Sequence, residues 1–98
     1  MGYSDYTDKI INYLRPYQPE RIGVFGSFAR NEQTAKSDLD ILMKLNVGIS
    51  LFDLVQIQDD LTNIVGRKVH LMTEGSLKNR FLKKSVEEDL VYIYQSKI

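Results

Sequence analysis

The chain has 98 residues and a formal net charge of zero, with 43% hydrophobic and 27% charged residues, which predicts a single soluble globular domain over residues 1–98. It has no cysteine, which excludes disulfides, zinc–thiolate centres and cysteine nucleophiles, and the balanced charge gives no reason to expect broad attraction to nucleic acid or to a membrane surface. No apolar run nears the roughly 20 residues of a membrane span, and Met1-Gly2-Tyr3-Ser4-Asp5 lacks the basic and apolar regions of a signal peptide, so the cytoplasm is the expected compartment.

In chain order, Tyr6, Ile10, Ile11, Tyr13 and Leu14 have helical spacing over residues 4–14, with Ser4 or Asp5 as cap, and Pro16 and Pro19 end the helix. Arg21 to Phe25 reads as a strand that Gly26-Ser27 stops, and Phe28-Ala29-Arg30 starts a short helix. Asn31 to Lys36 is polar and loop-like. Ser37 to Leu45 reads as a second strand, because Leu39, Ile41, Met43 and Leu45 alternate on one face. Ser50 is an N-cap with Asp53 in the first turn, followed by Leu51, Leu54, Val55, Leu61, Ile64 and Val65 on an amphipathic helix that Gly66 closes. Lys68 to Met72 is a third strand. Ser76 caps a further helix with Leu77, Phe81, Leu82 and Val86 as its apolar stripe, and Val91 to Tyr94 is a β-prone fourth strand. The predicted fold is a small α/β (α+β) domain with a mixed sheet of about four strands. The link between the first two strands is short, which favours antiparallel pairing there.

Two short segments carry chemistry. Gly26 lets the backbone turn sharply and approach a ligand, and Ser27, at the start of the predicted short helix, offers backbone N–H groups and a hydroxyl to an anion such as phosphate. Arg30, one turn on, is placed to reach the same phosphates. Gly-Ser is also a common turn, and alone it would mark nothing more. Asp38 and Asp40 stand two apart, on one face of the predicted strand, while Leu39 and Ile41 bury the other. Like charges so placed repel unless a cation lies between them, and hard divalent cations want oxygen ligands. A solvated strand edge is the plain alternative. No Gly-Lys-Ser/Thr follows a glycine-rich loop, so a P-loop reading fails. Lys78, Arg80, Lys83 and Lys84, followed by Glu87-Glu88-Asp89, read as a solvated helix rather than a nucleic-acid patch.

Gly26-Ser27-Phe28-Ala29-Arg30 followed by Ser37-Asp38-Leu39-Asp40-Ile41 resembles the signature of the DNA polymerase β-like nucleotidyltransferase superfamily, and the short chain and order of elements resemble its minimal nucleotidyltransferase group. The resemblance implies that Gly26 and Ser27 bind the β- and γ-phosphates of a nucleoside triphosphate, with Arg30 nearby. It implies that Asp38 and Asp40 ligate magnesium or manganese. It further implies adenylyl transfer from ATP to a hydroxyl, and a small helical HEPN-type partner in a toxin–antitoxin pair, with the partner or a second copy completing the acceptor site. Asn31 stands where the family often has glycine, a mild departure because asparagine tolerates a left-handed backbone. The larger departure is His70, which falls where the family supplies a third carboxylate. Imidazole is a poor magnesium ligand but can accept a proton. A catalytic role for His70 and a catalytically weakened protein that acts by binding its partner both remain open from the sequence. Glu74, of the same strand parity as His70, is a weak substitute.

Overall fold

The computed structural model describes residues 3–30, 32–34 and 36–96. Helix α1 spans Tyr3–Leu14 and so begins ahead of Ser4 and Asp5, the expected caps. It runs into a 3-10 turn, Arg15–Tyr17, that holds Pro16 near its start, where the missing N–H costs nothing. Gln18 then adopts a left-handed backbone, φ 56°, and its N–H donates to the Arg15 carbonyl at 3.1 Å. Strand β1, Pro19–Phe25, begins on the second proline, the position where a strand tolerates one. Strand β2 spans Leu39–Leu45, later than expected, which leaves Asp38 just ahead of it. Helix α2 spans Leu51–Val65, strand β3 Val69–Thr73, helix α3 Arg80–Asp89 and strand β4 Val91–Gln95. Phe28-Ala29-Arg30 forms part of a turn and no helix, and Asn31 lies outside the described residues.

The sheet order is β3-β2-β1-β4. Strand β1 pairs antiparallel with both β2 and β4, while β2 and β3 are parallel, joined by α2 as a crossover. The sheet is therefore mixed. Alternation puts Leu39, Ile41 and Met43 on one face, together with Ile22, Val24 and Val69, and α1 and α2 cover them with Ile10, Leu14, Ile57, Leu61 and Val65. The opposite face holds a smaller cluster of Leu42, Leu77 and Val86, flanked by Phe25, Met72 and Leu90. No helix among the described residues is long and apolar enough to cross a membrane.

Helix α2 starts with a full capping box: Ser50 Oγ accepts from the Asp53 N–H at 3.1 Å, and Asp53 accepts from the Ser50 N–H at 3.4 Å. Gly66 ends it in the left-handed conformation, φ 77°. The buried face is rotated from the expected stripe. Ile57, Leu61 and Val65 are buried, whereas Leu51 and Phe52 are 77% and 86% exposed and Val55 lies beside them on the surface. Helix α3 is capped by Asn79, whose Oδ1 accepts from the Phe81 and Leu82 N–H groups, and not by Ser76. Leu77 precedes the helix, Phe81 is 85% exposed, and only Val86 of the expected stripe within α3 is buried.

Two polar contacts bind elements that the hydrophobic pattern alone would not lock. Strand β3 is a sheet edge, and its outward N–H groups are satisfied by α2 side chains: Val69 donates to Thr62 Oγ1 at 3.1 Å and Leu71 to Gln58 Oε1 at 2.9 Å. The edge is thereby covered. Across the sheet, Arg21 makes a two-pronged pair with Glu74, Nε to Oε2 at 2.5 Å and Nη2 to Oε1 at 2.8 Å. That pair holds the Glu74 carboxyl below the usual glutamate value.

Each contact makes a prediction. Thr62→Val keeps the side-chain shape but orphans the Val69 N–H, so it should cost about 1–3 kcal/mol in urea unfolding; an unchanged midpoint would show that the bond contributes nothing. Because the folded Glu74 carboxyl titrates below 4.5, its stabilisation is complete above pH 4.5 and is lost as pH falls through the folded value. Glu74→Gln should therefore be less stable than the parent at neutral pH, by under about 1 kcal/mol for so exposed a pair, with the gap closing in acid. A gap that persists at low pH would contradict the assignment.

Candidate active site

The site grows from one row of the sheet. Phe25, Asp40 and His70 are register partners on adjacent strands β1, β2 and β3, so their side chains share a face. The next row on that face is Gly23, Leu42 and Met72, and beyond it Arg21 pairs with Lys44. The face is thus polar at both ends and apolar in the middle. Glu74 belongs to the far end with Arg21, about four residues or roughly 13 Å along the strand from the Asp40 row. Its carboxylate is committed there and does not replace a third acid beside Asp40.

From Phe25 the chain enters the turn at Gly26. Its φ of 75° is left-handed, and a Cβ at this position would lie 2.3 Å from Asp40 Oδ2. Both facts require glycine: the backbone conformation disfavours any L side chain, and the carboxylate fills the space that a Cβ would need. The turn closes through Arg30 N–H to the Gly26 carbonyl at 3.1 Å and Glu32 N–H to the Ser27 carbonyl at 2.8 Å. It is one hydrogen-bonded turn and supplies no helix dipole. Any anion affinity at Ser27 must come from its local N–H groups and hydroxyl. Phe28 turns inward, is 4% exposed, and meets Tyr6 edge-on with centroids 5.8 Å apart.

Asp38 stands just before β2, and its Oδ2 accepts a hydrogen bond from His70 Nε2 at 2.8 Å. Asp40 is half-buried. Burial pushes its carboxyl above the ordinary aspartate value, His70 pulls it down, the neighbouring Asp38 charge raises it, and Arg30 lowers it again. A partly desolvated carboxylate beside a second one is short of positive charge. The structure therefore brings Gly26, Ser27, Asp38, Asp40 and His70 to one end of the sheet. Arg30 lies near them but is engaged elsewhere. Its Nη1 donates to Asp89 Oδ2 at the end of α3 and its Nε contacts Glu32 at 3.4 Å.

Asp38 and Asp40 provide carboxylate oxygens suited to a hard cation, and His70 brings a ring nitrogen beside Asp38. Among the described residues, no three His, Asp or Glu side chains are grouped to hold a metal by themselves. Substrate phosphate oxygens are the usual additional ligands of magnesium in such half-built sites.

Two functional contacts could not be read from the residue pattern. Asp89, part of an acidic run on a helix, is the partner of Arg30. Arg67 lies over the Phe28 ring, with its guanidinium carbon 4.9 Å from the centroid, and 5.8 Å from that of Tyr6. It also donates from Nη1 to the Ser37 carbonyl at 2.8 Å and the Thr34 carbonyl at 3.2 Å. The only local sign is an arginine directly after the glycine that ends α2.

Known proteins are similar to this chain in sequence and in fold. The nucleotidyltransferase domain model matches residues 7–93. A provisionally named protein adenylyltransferase of Methanocaldococcus jannaschii is 44% identical over 77 residues, 79% of each chain. The protein adenylyltransferase MntA of Thermococcus cleftensis is 36% identical over 72 residues, 74% of this chain and 72% of that one. A toxin–antitoxin crystal structure with AMP-PNP has the same fold, with TM-score 0.83 and 22% identity over 93% of this chain and 74% of that one. With its sequence matched from residue 7 to residue 93 and its relatives alike over most of their length, the chain belongs to the nucleotidyltransferase domain family.

Proposed function

We propose that the protein transfers AMP from ATP to a hydroxyl on a partner protein, in a toxin–antitoxin pair with a small helical HEPN-type protein. The observation that carries this reading is the close approach of Gly26 to Asp40, within 2.3 Å of where a Cβ would sit. It joins a phosphate-type turn to a carboxylate pair at one sheet end. The relatives named as protein adenylyltransferases and the likeness to toxin–antitoxin structures support the reaction class and the partner.

In this reading Gly26 and Ser27 hold the β- and γ-phosphates through backbone N–H groups and the Ser27 hydroxyl. Asp38 and Asp40 hold magnesium or manganese. When bound, the metal neutralises charge on the attacking and leaving oxygens. The acceptor hydroxyl oxygen forms a bond to the α-phosphorus as the bond to the bridging α,β-oxygen breaks, and pyrophosphate leaves with that electron pair. The hydroxyl proton goes to a base on the chain or to solvent. Arg30 can serve the phosphates only by giving up Asp89.

A second reading rests on the His70 contact. A carboxylate accepts, so His70 donates from Nε2 to Asp38 Oδ2. This occupies one oxygen of the carboxylate that would hold the cation, and it leaves only Nδ1 as a proton acceptor. Histidine also brings no negative charge to the site. The arrangement favours slow catalysis, and at the limit a protein that neutralises its partner by binding.

Two measurements test these statements. Calorimetric titration with ATP should show magnesium-dependent binding, and the double variant Asp38→Asn with Asp40→Asn should lose that dependence while remaining folded. Equal affinity with and without the metal, in parent and variant alike, would remove the site assignment. Next, His70→Asp should raise transfer of labelled AMP to the co-expressed partner by about tenfold to a hundredfold, equivalent to about 1.4 kcal/mol of barrier per tenfold. Slower transfer in His70→Asp would make His70 a working catalytic group, and ATP binding without transfer by either protein would favour the binding reading.

A further inference from the structure

Arg67 touches both halves of the site without belonging to either. Its guanidinium lies 4.9 Å from the centroid of Phe28, the residue directly after Ser27. Its Nη1 donates to the carbonyl of Ser37, the residue directly before Asp38, at 2.8 Å, and to Thr34 further back in the same loop at 3.2 Å. Phe28 is itself buried against Tyr6 of α1, so the ring is a fixed platform. The loop it clasps is held in shape by Thr34 and Ser37: Ser37 N–H donates to the Thr34 carbonyl at 3.1 Å and Thr34 N–H to Ser37 Oγ at 2.8 Å.

From this geometry we infer that Arg67 is a positioning residue, which sets the separation between the Gly26-Ser27 turn and Asp38. The inference rests on the nucleotide reading above and adds to it a residue that touches neither phosphate nor metal. Two properties fit arginine to the task. Its planar head lies over a ring while its Nη1 donates to two carbonyls. Its backbone follows Gly66, the left-handed residue that ends α2, so it springs from the short link between α2 and β3. Without the clasp, Asp38 would keep its attachment to β2, where the Leu39 N–H donates to the Lys68 carbonyl at 2.9 Å, and its His70 contact, but would lose the tie between its loop and the Phe28 platform. Sites that align phosphate and metal ligands lose rate and affinity steeply when one is displaced by about 1 Å.

The test compares Arg67→Met, which keeps the apolar stem on Phe28 but loses the donors, with Arg67→Lys, which keeps the charge but cannot stack and fork together. Binding of an ATP analogue with a methylene bridge between the α- and β-phosphates, in magnesium, is measured by calorimetry. Hydrogen exchange of the Thr34 and Ser37 amides and the urea midpoint are measured on the same samples. The expected result is about tenfold or greater weakening in Arg67→Met, faster exchange at the two loop amides, an intermediate Arg67→Lys, and a midpoint close to that of the parent. Unchanged affinity in Arg67→Met, while the Asp38→Asn and Asp40→Asn double variant binds weakly, would overturn the positioning role alone. A lowered midpoint with faster exchange throughout the chain would also overturn it, since Arg67 would then be only structural. Failure of the parent to bind the analogue at all would overturn the nucleotide reading, and the role of Arg67 with it.

Discussion

The site depends on the space between the Gly26 backbone and the Asp40 carboxylate. Strand β1 must end and turn back over the start of β2 within one residue, and at that residue the carboxylate of Asp40 stands where a Cβ would be. Only a residue without a side chain, in a left-handed conformation, lets both occupy the place. Burial at this end of the sheet also raises the proton affinity of Asp40. A fold that wanted only a tight turn would gain nothing by crowding a charge against it. The crowding is consistent with the proposed function, in which a phosphate on the turn would lie beside a cation on the carboxylate.

The rest of the face explains how so small a domain tolerates this. Its middle row, Leu42 with Met72, is covered from the α3 side by Leu77, Val86 and Leu90, while the larger core lies on the opposite face under α1 and α2. At the far end Arg21 and Glu74 neutralise each other, so the unbalanced carboxylates are confined to one end. The sheet separates the Arg21–Glu74 ion pair from the two like-charged carboxylates by a few apolar residues. Helix α3 also reaches the site, since its last residue, Asp89, holds Arg30. The thinner of the two packing layers is therefore the one tied to the residue nearest the proposed phosphates.

Much of this was legible in the residues because period-two alternation is strict in β2 and capping chemistry is strong at Ser50 and Gly66. The order of elements follows from those signals, the antiparallel pairing of β1 with β2 from their short link, and the gathering of Gly26, Ser27, Asp40 and His70 from the family resemblance. Where the reading failed, tertiary context decided. Leu51 and Val55 fit a helical stripe as well as Ile57 does, but α2 is turned by its bonds from Thr62 and Gln58 to the edge of β3, and this leaves Leu51 outside. Ser76 and Asn79 are both good caps, and the 3-10 turn at Glu74–Ser76 consumes the first. Arg30 is one turn from Ser27 as expected, yet the nearest opposite charge comes from a residue 59 positions away. No local rule could supply it. Arg67 was invisible for the same reason, because its partners lie in two other segments.

His70 is where local reading and structure meet most closely. The register sets it opposite Asp40 on the neighbouring strand. Its ring does not merely fill the position. It turns to Asp38 and bonds it at 2.8 Å, giving the carboxylate pair a hydrogen-bond donor of the chain's own. An aspartate there would add a third negative charge and make the empty site more repulsive; histidine instead steadies the site before any cation arrives. Under the proposed function that hydrogen bond would compete with a cation for Asp38, so the residue that steadies the free protein would also weaken its hold on a metal. Pre-organisation and metal affinity would then be opposed through a single hydrogen bond. The same opposition separates a fast transferase from a protein whose main work is to bind its partner.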